Sequence, residues 1–424
     1  MDIIVKKNFK HLSGEIEIPS DKSISHRAVI LASLAKGKSV IKNFSSAKDP
    51  LSSVGVCKNL GVDIELNDNT LTVNSNGTFI KPEADLYCGN SGTTMRLMSG
   101  ILAGQDFSSV LKGDASLSKR PMKRIITPLS LMGAKISSEN NHAPLEIEGT
   151  SLHGINYALP IASAQVKSCI LLAGLFAHGE TICTEKTPSR NHTEIMLQSM
   201  GADIVIHNNS IKIKKSTLEP LHTEICGDIS STAYFLVAGL IVPNSKITIK
   251  NVGLNPTRTG IIDVIKQMNG DIKILNKREL NSEPAGDIEV CYSPELKGIE
   301  INGEIIPRLI DEIPVIAVLA TQCNGCTIIK DAQDLRSKES DRIKTIVTEL
   351  KKLGANIQET PDGMIIQGKT ELYGDCEVEC YSDHRLAMSL YTAGLICKKE
   401  ILIKNFEWVN ISFPEFWGLF NKLM

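Results

Sequence analysis

No apolar run in this chain is long enough to cross a bilayer. The longest, at 313–320 and 236–242, fall far short of the roughly 20 residues that a membrane helix needs, and no membrane partner is expected. Net charge is nearly absent as well. Lys and Arg number 46 against 48 Asp and Glu, a formal charge of -2, so no global field draws the chain to nucleic acid or an anionic surface, and any anion binding has to be local. Aromatic residues make up only 4%. Neither an aromatic-rich basic stripe nor a dinucleotide-binding glycine fingerprint occurs, which argues against nucleic acid and NAD. The opening Met1-Asp2-Ile3-Ile4-Val5-Lys6-Lys7 lacks the plan of a secretory signal, and a cytoplasmic location is expected. The 11 cysteines are odd in number and sit in apolar stretches, the pattern of reduced thiols used as small hydrophobes. Cys323 and Cys326 have a metal-like spacing without a second pair at zinc-finger distance, so no metal is expected.

What the chain does have is length and repetition. Its 424 residues, 42% of them hydrophobic, suit two domains of about 200 residues each. One short pattern returns five times, at Leu60-Gly61-Val62-Asp63-Ile64, Met132-Gly133-Ala134-Lys135-Ile136, Met200-Gly201-Ala202-Asp203-Ile204, Met268-Asn269-Gly270-Asp271-Ile272 and Leu353-Gly354-Ala355-Asn356-Ile357. Each copy reads as a helix ending at a glycine able to take positive φ, followed by an alternating strand. A second pattern, an apolar helix rich in Ala and Gly followed by a turn and a strand, centres on Ala32, Ala103, Ala173, Ala238, Ala317 and Ala393. Such a unit needs neighbours to cover its apolar helix, so six related α/β modules, three per domain, are expected.

Charged residues gather at predicted helix starts. Ser20-Asp21-Lys22-Ser23-Ile24-Ser25-His26-Arg27 precedes a helix expected at 28–35 with Gly37 as its stop, and Lys22, Ser23 and Arg27 fall on its first turns. Cations there add to unpaired backbone N–H groups and the positive end of the helix dipole, an arrangement suited to an anion. Gly89-Asn90-Ser91-Gly92-Thr93-Thr94-Met95-Arg96 is similar, with small residues that admit a ligand close to the backbone, but it lacks the closing Gly-Lys-Ser/Thr of a Walker loop. Lys119-Arg120-Pro121-Met122 sets basic residues before a proline expected at a helix N1. Further copies are Ser163-Ala164-Gln165-Val166-Lys167, Ser189-Arg190-Asn191-His192-Thr193-Glu194, Arg336-Ser337-Lys338-Glu339-Ser340-Asp341-Arg342 and Ser382-Asp383-His384-Arg385. A capped, solvated helix end accounts for any one of them alone. Together, in modules that repeat in register, they point to a ligand carrying several anionic groups, because arginine forks bind carboxylate and phosphate. Two acids interrupt the basic set, Asp311 in Leu309-Ile310-Asp311-Glu312-Ile313-Pro314 and Glu339 between Lys338 and Arg342. Each is a candidate proton carrier or a structural ion pair.

These motifs, in this order and over nearly the whole chain, resemble the EPSP synthases. The resemblance rests on Ser20-Asp21-Lys22-Ser23 through Arg27, Gly89-Asn90-Ser91-Gly92-Thr93 through Arg96, Lys119-Arg120-Pro121-Met122, Ser163-Ala164-Gln165, Ile310-Asp311-Glu312, Lys338-Glu339-Ser340-Asp341-Arg342 and Asp383-His384-Arg385. Ser163-Ala164-Gln165-Val166-Lys167, Arg190-Asn191-His192-Thr193-Glu194 and Asn255-Pro256-Thr257-Arg258 are similar to the branch called class II.

The resemblance implies an α/β fold of two domains, each a threefold arrangement of βαβαββ units forming an inside-out α/β barrel. It also implies an inserted domain at 21–226, a discontinuous domain of 1–20 and 227–424, and an active site in the cleft between them. It implies transfer of the enolpyruvyl group of phosphoenolpyruvate to shikimate 3-phosphate by a monomer without a cofactor. Carried over by position, Lys22, Ser23, Arg27, Ser163, Ala164 through its backbone, Gln165, Arg190, Asp311 and Lys338 would hold shikimate 3-phosphate. Lys22, Asn90, Gly92, Arg120, Gln165, Glu339, Arg342 and Arg385 would surround phosphoenolpyruvate, with Asp311, Glu339 and Lys22 in the proton transfers. The chain departs from the pattern at three places. No lysine precedes Phe413-Pro414, His192 stands for a tyrosine, and Asp334 stands for an asparagine. The sister transferase acting on UDP-N-acetylglucosamine starts with Lys-Asn and carries a loop cysteine, where this chain has Lys22-Ser23 and Ser116-Leu117-Ser118. A non-catalytic anion-binding relative would have no need of Asp311 and Glu339 together.

Overall fold

The computed structural model describes residues 1–6 and 8–424. The chain divides into two compact units. One comprises Met1–Pro19, Cys226–Glu279 and Pro284–Met424, the other Ser20–Ile225 and Leu280–Glu283.

The second unit is built from three modules, each with a buried helix behind a four-stranded sheet. The buried helices are Lys22–Leu34, Gly92–Leu102 and Ala164–Gly174. Their small residues allow close approach: a Cβ on Gly100 would stand 2.2 Å from the Cys169 carbonyl oxygen, so only glycine fits where these two helices touch. In the middle module Leu86–Tyr87 lies parallel to Ser108–Lys112, which runs antiparallel to His142–Glu148, itself paired with Lys135–Glu139. The sheet of 156–158, 180–184, 210–214 and 204–207 repeats that order. In the first module the parallel partner of Lys36–Lys42 is His222–Glu224, which comes from the far end of the unit and ties that end to its beginning.

The first unit follows the same plan with buried helices Ile229–Ile241, Ile313–Thr321 and His384–Gly394. Its last module departs from it. Ile401–Lys404 has no following hairpin. Instead it pairs in parallel with Cys376–Glu379 and antiparallel with the N-terminal strand Ile3–Val5. The terminal helix Phe416–Leu423 turns Phe416, Leu419, Phe420 and Leu423 inward, at the spacing of one helical face. Phe420 stacks on Phe235 at 4.3 Å between centroids, and Phe416 meets Tyr234 edge-on at 5.7 Å. Each buried phenylalanine contributes about 1.5–3 kcal/mol of transfer free energy, enough for a short helix to cover a face that a hairpin would otherwise cover.

All six expected apolar centres fall in or directly after the buried helices. The five-fold helix-to-strand pattern holds too, with one substitution of role. Gly61, Gly133, Gly201 and Gly354 take positive φ, but in the fourth copy the left-handed residue is Asn269 at φ 67°. Asparagine tolerates that region at a helix end. Gly270 is then required for space, since a Cβ there would lie 2.6 Å from Ile265 Cγ2.

Two local expectations are corrected. The first helix spans Lys22–Leu34 rather than 28–35, and Gly37 does not stop it; Ala35 is already extended and Gly37 lies within the strand Lys36–Lys42. The Asp21 carboxylate accepts from the Ile24 N–H and so starts the helix earlier. Pro121 is not at N1, because the next helix begins at Lys123 with Met122 as N-cap, and the Met122 N–H is drawn to the Asn141 carbonyl at 2.8 Å. Among the described residues no helix is long and apolar enough to cross a membrane.

Candidate active site

In the unit built on Ser20–Ile225, the helix starts carry a linked set of cations and amides. Lys22 opens the first helix and is half-buried, its Nζ 3.0 Å from Asp49 Oδ2. Arg27, one turn on and buried, donates from Nε to Thr193 Oγ1 at 2.7 Å, from Nη1 to the Ser23 carbonyl at 2.9 Å and from Nη2 to Ser168 Oγ at 3.0 Å. Arg190 reaches Ser23 Oγ at 3.5 Å. Ser23, Arg27 and Arg190 therefore share one neighbourhood, which Ser168 and Thr193 organise.

A second group forms around the next helix start. Arg120 Nη2 donates to Asn90 Oδ1 at 2.6 Å, and Asn90 Nδ2 donates to Asp114 at 2.8 Å. Gln165 is held at both ends, accepting from Arg96 Nη1 at 2.6 Å and donating to Thr93 Oγ1 at 2.9 Å. Gly92 lies between the two arginines. A Cβ there would come 2.7 Å from Arg96 Nη1 and 3.4 Å from Arg120 Nη1. Ser163 caps the helix Ala164–Gly174 through the Val166 N–H at 3.5 Å.

Beneath the Arg190 loop, Lys167 is 1% exposed and bonds Glu185 at 2.7 Å and Glu194 at 2.6 Å. It also donates to the Ser189 carbonyl at 3.2 Å. His26 is wholly buried, with Nδ1 2.8 Å from Ser53 Oγ. Burial first, and then the charges of Lys22 and Arg27, push its pKa well below 6.5, so it is a neutral imidazole. His192 is also buried, its Nδ1 2.6 Å from Glu283 Oε1.

In the other unit the site residues converge on one guanidinium. Arg342 begins the helix Arg342–Lys352 and is 2% exposed. Its Nε and Nη2 take the fully buried Asp383 at 2.8 and 3.2 Å, its Nη1 meets Asp311 at 3.2 Å, and its Nη2 meets Glu339 at 2.5 Å. Burial alone would depress the arginine, but Asp383, Glu339 and Asp311 outweigh it and hold its pKa above the usual arginine range. Lys338 Nζ stands 3.6 Å from Asp311 and 3.8 Å from Asp334. Arg385, also buried, donates to the Ser230 carbonyl at 3.2 Å, and its backbone N–H is capped by Asp383. Asp383 thus serves two arginines at once.

The sequence motifs named Arg342, Asp311 and Glu339 without showing that they share an ion pair. Asp383 and Thr193 lay within quoted motifs but had no role. Arg96 closed a motif in the same way. Asp49 and Ser168 carried no sequence signal, since nothing in their own neighbourhoods marks them. Ile411, near the place of the absent lysine, ends the short turn Phe406–Ile411. Among the described residues no group of three or more His, Cys, Asp or Glu is placed to hold a metal.

Chemically, each unit presents fixed cations, and Asp311, Glu339 and Asp383 sit among those of the unit that carries Arg342. Cations of that kind stabilise anionic substrates and developing charge, and carboxylates beside a cation can exchange protons.

Comparison with known proteins agrees with that chemistry. The profile of the family described as EPSP synthase (3-phosphoshikimate 1-carboxyvinyltransferase) matches residues 6–420. The 3-phosphoshikimate 1-carboxyvinyltransferase of Thermoanaerobacter sp. (strain X514) is 55% identical over 426 residues, covering 100% of both chains. That of Geobacillus kaustophilus (strain HTA426) is 51% identical over 423 residues, covering 98% of this chain and 99% of the relative. Among solved structures, an EPSP synthase from Acinetobacter baumannii superposes with a TM-score of 0.89 at 41% identity, covering 100% of this chain and 98% of that one. The enolpyruvyl transferase NikO from Streptomyces tendae shares the fold, with a TM-score of 0.80 at 16% identity over 100% of this chain and 97% of that one. The chain belongs to the EPSP synthase (3-phosphoshikimate 1-carboxyvinyltransferase) family.

Proposed function

We propose that this protein transfers the enolpyruvyl group of phosphoenolpyruvate to the 5-hydroxyl of shikimate 3-phosphate. The products are 5-enolpyruvylshikimate 3-phosphate and inorganic phosphate, a step toward chorismate and the aromatic amino acids. The observation that carries the reading is the pair Asp311 and Glu339 on the single guanidinium of Arg342. That arrangement keeps two carboxylates together beside cations.

In the proposed reaction Asp311 accepts the proton of the 5-hydroxyl as its oxygen bonds to C2 of phosphoenolpyruvate. Glu339 with Lys22 delivers a proton to the methylene carbon, and a tetrahedral adduct still bearing phosphate results. The bond from C2 to the phosphate oxygen then breaks and inorganic phosphate leaves, while the Glu339 carboxylate takes back a methyl proton and the carbon–carbon double bond re-forms. Ser23, Arg27, Arg190, Ser163, Gln165, the Ala164 backbone and Lys338 hold shikimate 3-phosphate. Asn90, Gly92, Arg120, Arg342 and Arg385 receive phosphoenolpyruvate. Preorganised charge suits a cation-like C2 flanked by carboxylate and phosphate. Both groups of residues act on one pair of substrates, and the enzyme works as a cytoplasmic monomer.

The test is phosphate release from phosphoenolpyruvate with shikimate 3-phosphate and, separately, with UDP-N-acetylglucosamine. Release with the first acceptor alone is expected. Release only with the second, or with neither, overturns the reading.

A further inference from the structure

The segment that delivers Asp383 and Arg385 has a backbone its residues do not favour. Cys380 accepts at its carbonyl from the Asp383 N–H at 2.9 Å, closing a tight turn whose central residues are Tyr381 and Ser382. Both are left-handed, at φ 51° and 58°. Two consecutive positive φ values are the pattern of a type I′ turn, which strongly prefers Asn-Gly or Gly-Gly. A bulky aromatic followed by serine is strained there and persists only if the surroundings hold it.

The surroundings do hold it. Glu349, 0% exposed and wholly enclosed, accepts from the Tyr381 hydroxyl at 2.7 Å, from the Glu379 N–H at 3.0 Å and from Lys352 Nζ at 2.8 Å. Glu379 folds back on the same segment, its Oε1 accepting from the N–H groups of Cys380 at 2.9 Å and Tyr381 at 3.1 Å. Burial, and then the Glu349 carboxylate, push Tyr381 up to about 12, so the phenol stays a donor. Glu349 lies seven residues beyond Arg342 on the helix Arg342–Lys352, two turns along one face. That face therefore grips the segment twice, through Arg342 to Asp383 and through Glu349 to Tyr381.

We infer that Glu349 and Tyr381 are positioning residues that hold the left-handed 381–382 turn closed and thereby aim Asp383, Arg342 and Arg385 at the phosphoenolpyruvate site. The inference rests on the function proposed above for Arg342 and Arg385.

Tyr381→Phe removes only the hydroxyl at a ring that is 39% exposed, so the variant should fold. Glu349→Gln is the companion at the buried end. For Tyr381→Phe the expected result is a rise of about tenfold in KM for phosphoenolpyruvate with KM for shikimate 3-phosphate unchanged, because one aimed arginine cluster is loosened. Ser382→Gly, placed in the Tyr381→Phe background, should restore most of the loss, since glycine takes positive φ without strain. A role confined to global stability would move both KM values together. Hydrogen exchange of amides 380–385 in the ligand-free protein should quicken in Tyr381→Phe and slow again in the double variant. Wild-type kinetics in Tyr381→Phe, a common rise in both KM values, or no rescue by glycine would each overturn the inference. If the wild-type protein fails to release phosphate, the function falls, and the exchange measurement alone decides the clamp: unchanged exchange in Tyr381→Phe overturns it.

Discussion

Arg342 and Asp383, 41 positions apart in the chain, meet through two contacts, Nε to Oδ2 at 2.8 Å and Nη2 to Oδ1 at 3.2 Å. The same aspartate caps the helix that carries Arg385, so one buried carboxylate sets the direction of two arginines.

Arg342→Ala should therefore lower kcat/KM by on the order of 10²-fold or more, because preorganised charge is lost and Asp311, Glu339 and Asp383 are left without their common partner. Steady-state phosphate release measures it. Activity near that of the wild type would remove Arg342 from the site.

Asp311→Asn and Glu339→Gln keep shape and remove basicity. Calorimetry should still show both substrates binding, while turnover falls by about 10²–10⁴-fold, the usual range for a lost acid or base. Either amide variant turning over at the wild-type rate across the pH range would refute the proton role of that residue.

His26 gives a pH dependence of stability whose sign follows from its surroundings. Its folded pKa lies well below 6.5, from burial first and then from Lys22 and Arg27. The unfolded chain takes up a proton near pH 6.5 that the folded chain refuses. This contribution is complete above that pH and is lost as pH falls, at up to about 1.4 kcal/mol per pH unit. Thermal unfolding from about pH 7 to about pH 5 should show a steeper fall in Tm for the wild type than for His26→Asn. Parallel slopes would contradict this.

Lys167→Met should cost about 3–5 kcal/mol of stability, since Glu185 and Glu194 would be left as buried like charges. Urea unfolding reads the change. A midpoint within error of the wild type would show that the cluster neutralises itself by taking up a proton.

Periodicity and local chemistry reach a long way in this protein. The helix-to-glycine-to-strand signal marks the same structural position five times, because a helix that ends in a left-handed residue favours glycine or asparagine there whatever lies around it. The six apolar centres identify the buried helices, because an all-round apolar helix has to be covered. Basic residues at helix starts were legible for the same reason: N-caps and first turns are written in adjacent residues. The replacement of the sixth hairpin by the helix Phe416–Leu423 was not legible, since the aromatic residues it packs against come from 234–235, 391 and 406.

What the sequence by itself determined is the module, its repetition and the stock of charges at the helix starts, all properties of residues a few positions apart. Only the tertiary structure decided which charge meets which. Arg342 finds Asp383 and Asp311 across 41 and 31 residues, Arg27 finds Thr193 across 166, and Glu349 finds Tyr381 across 32. Such pairings depend on how whole helices pack, and a buried ion has to take whatever partner that packing brings within reach.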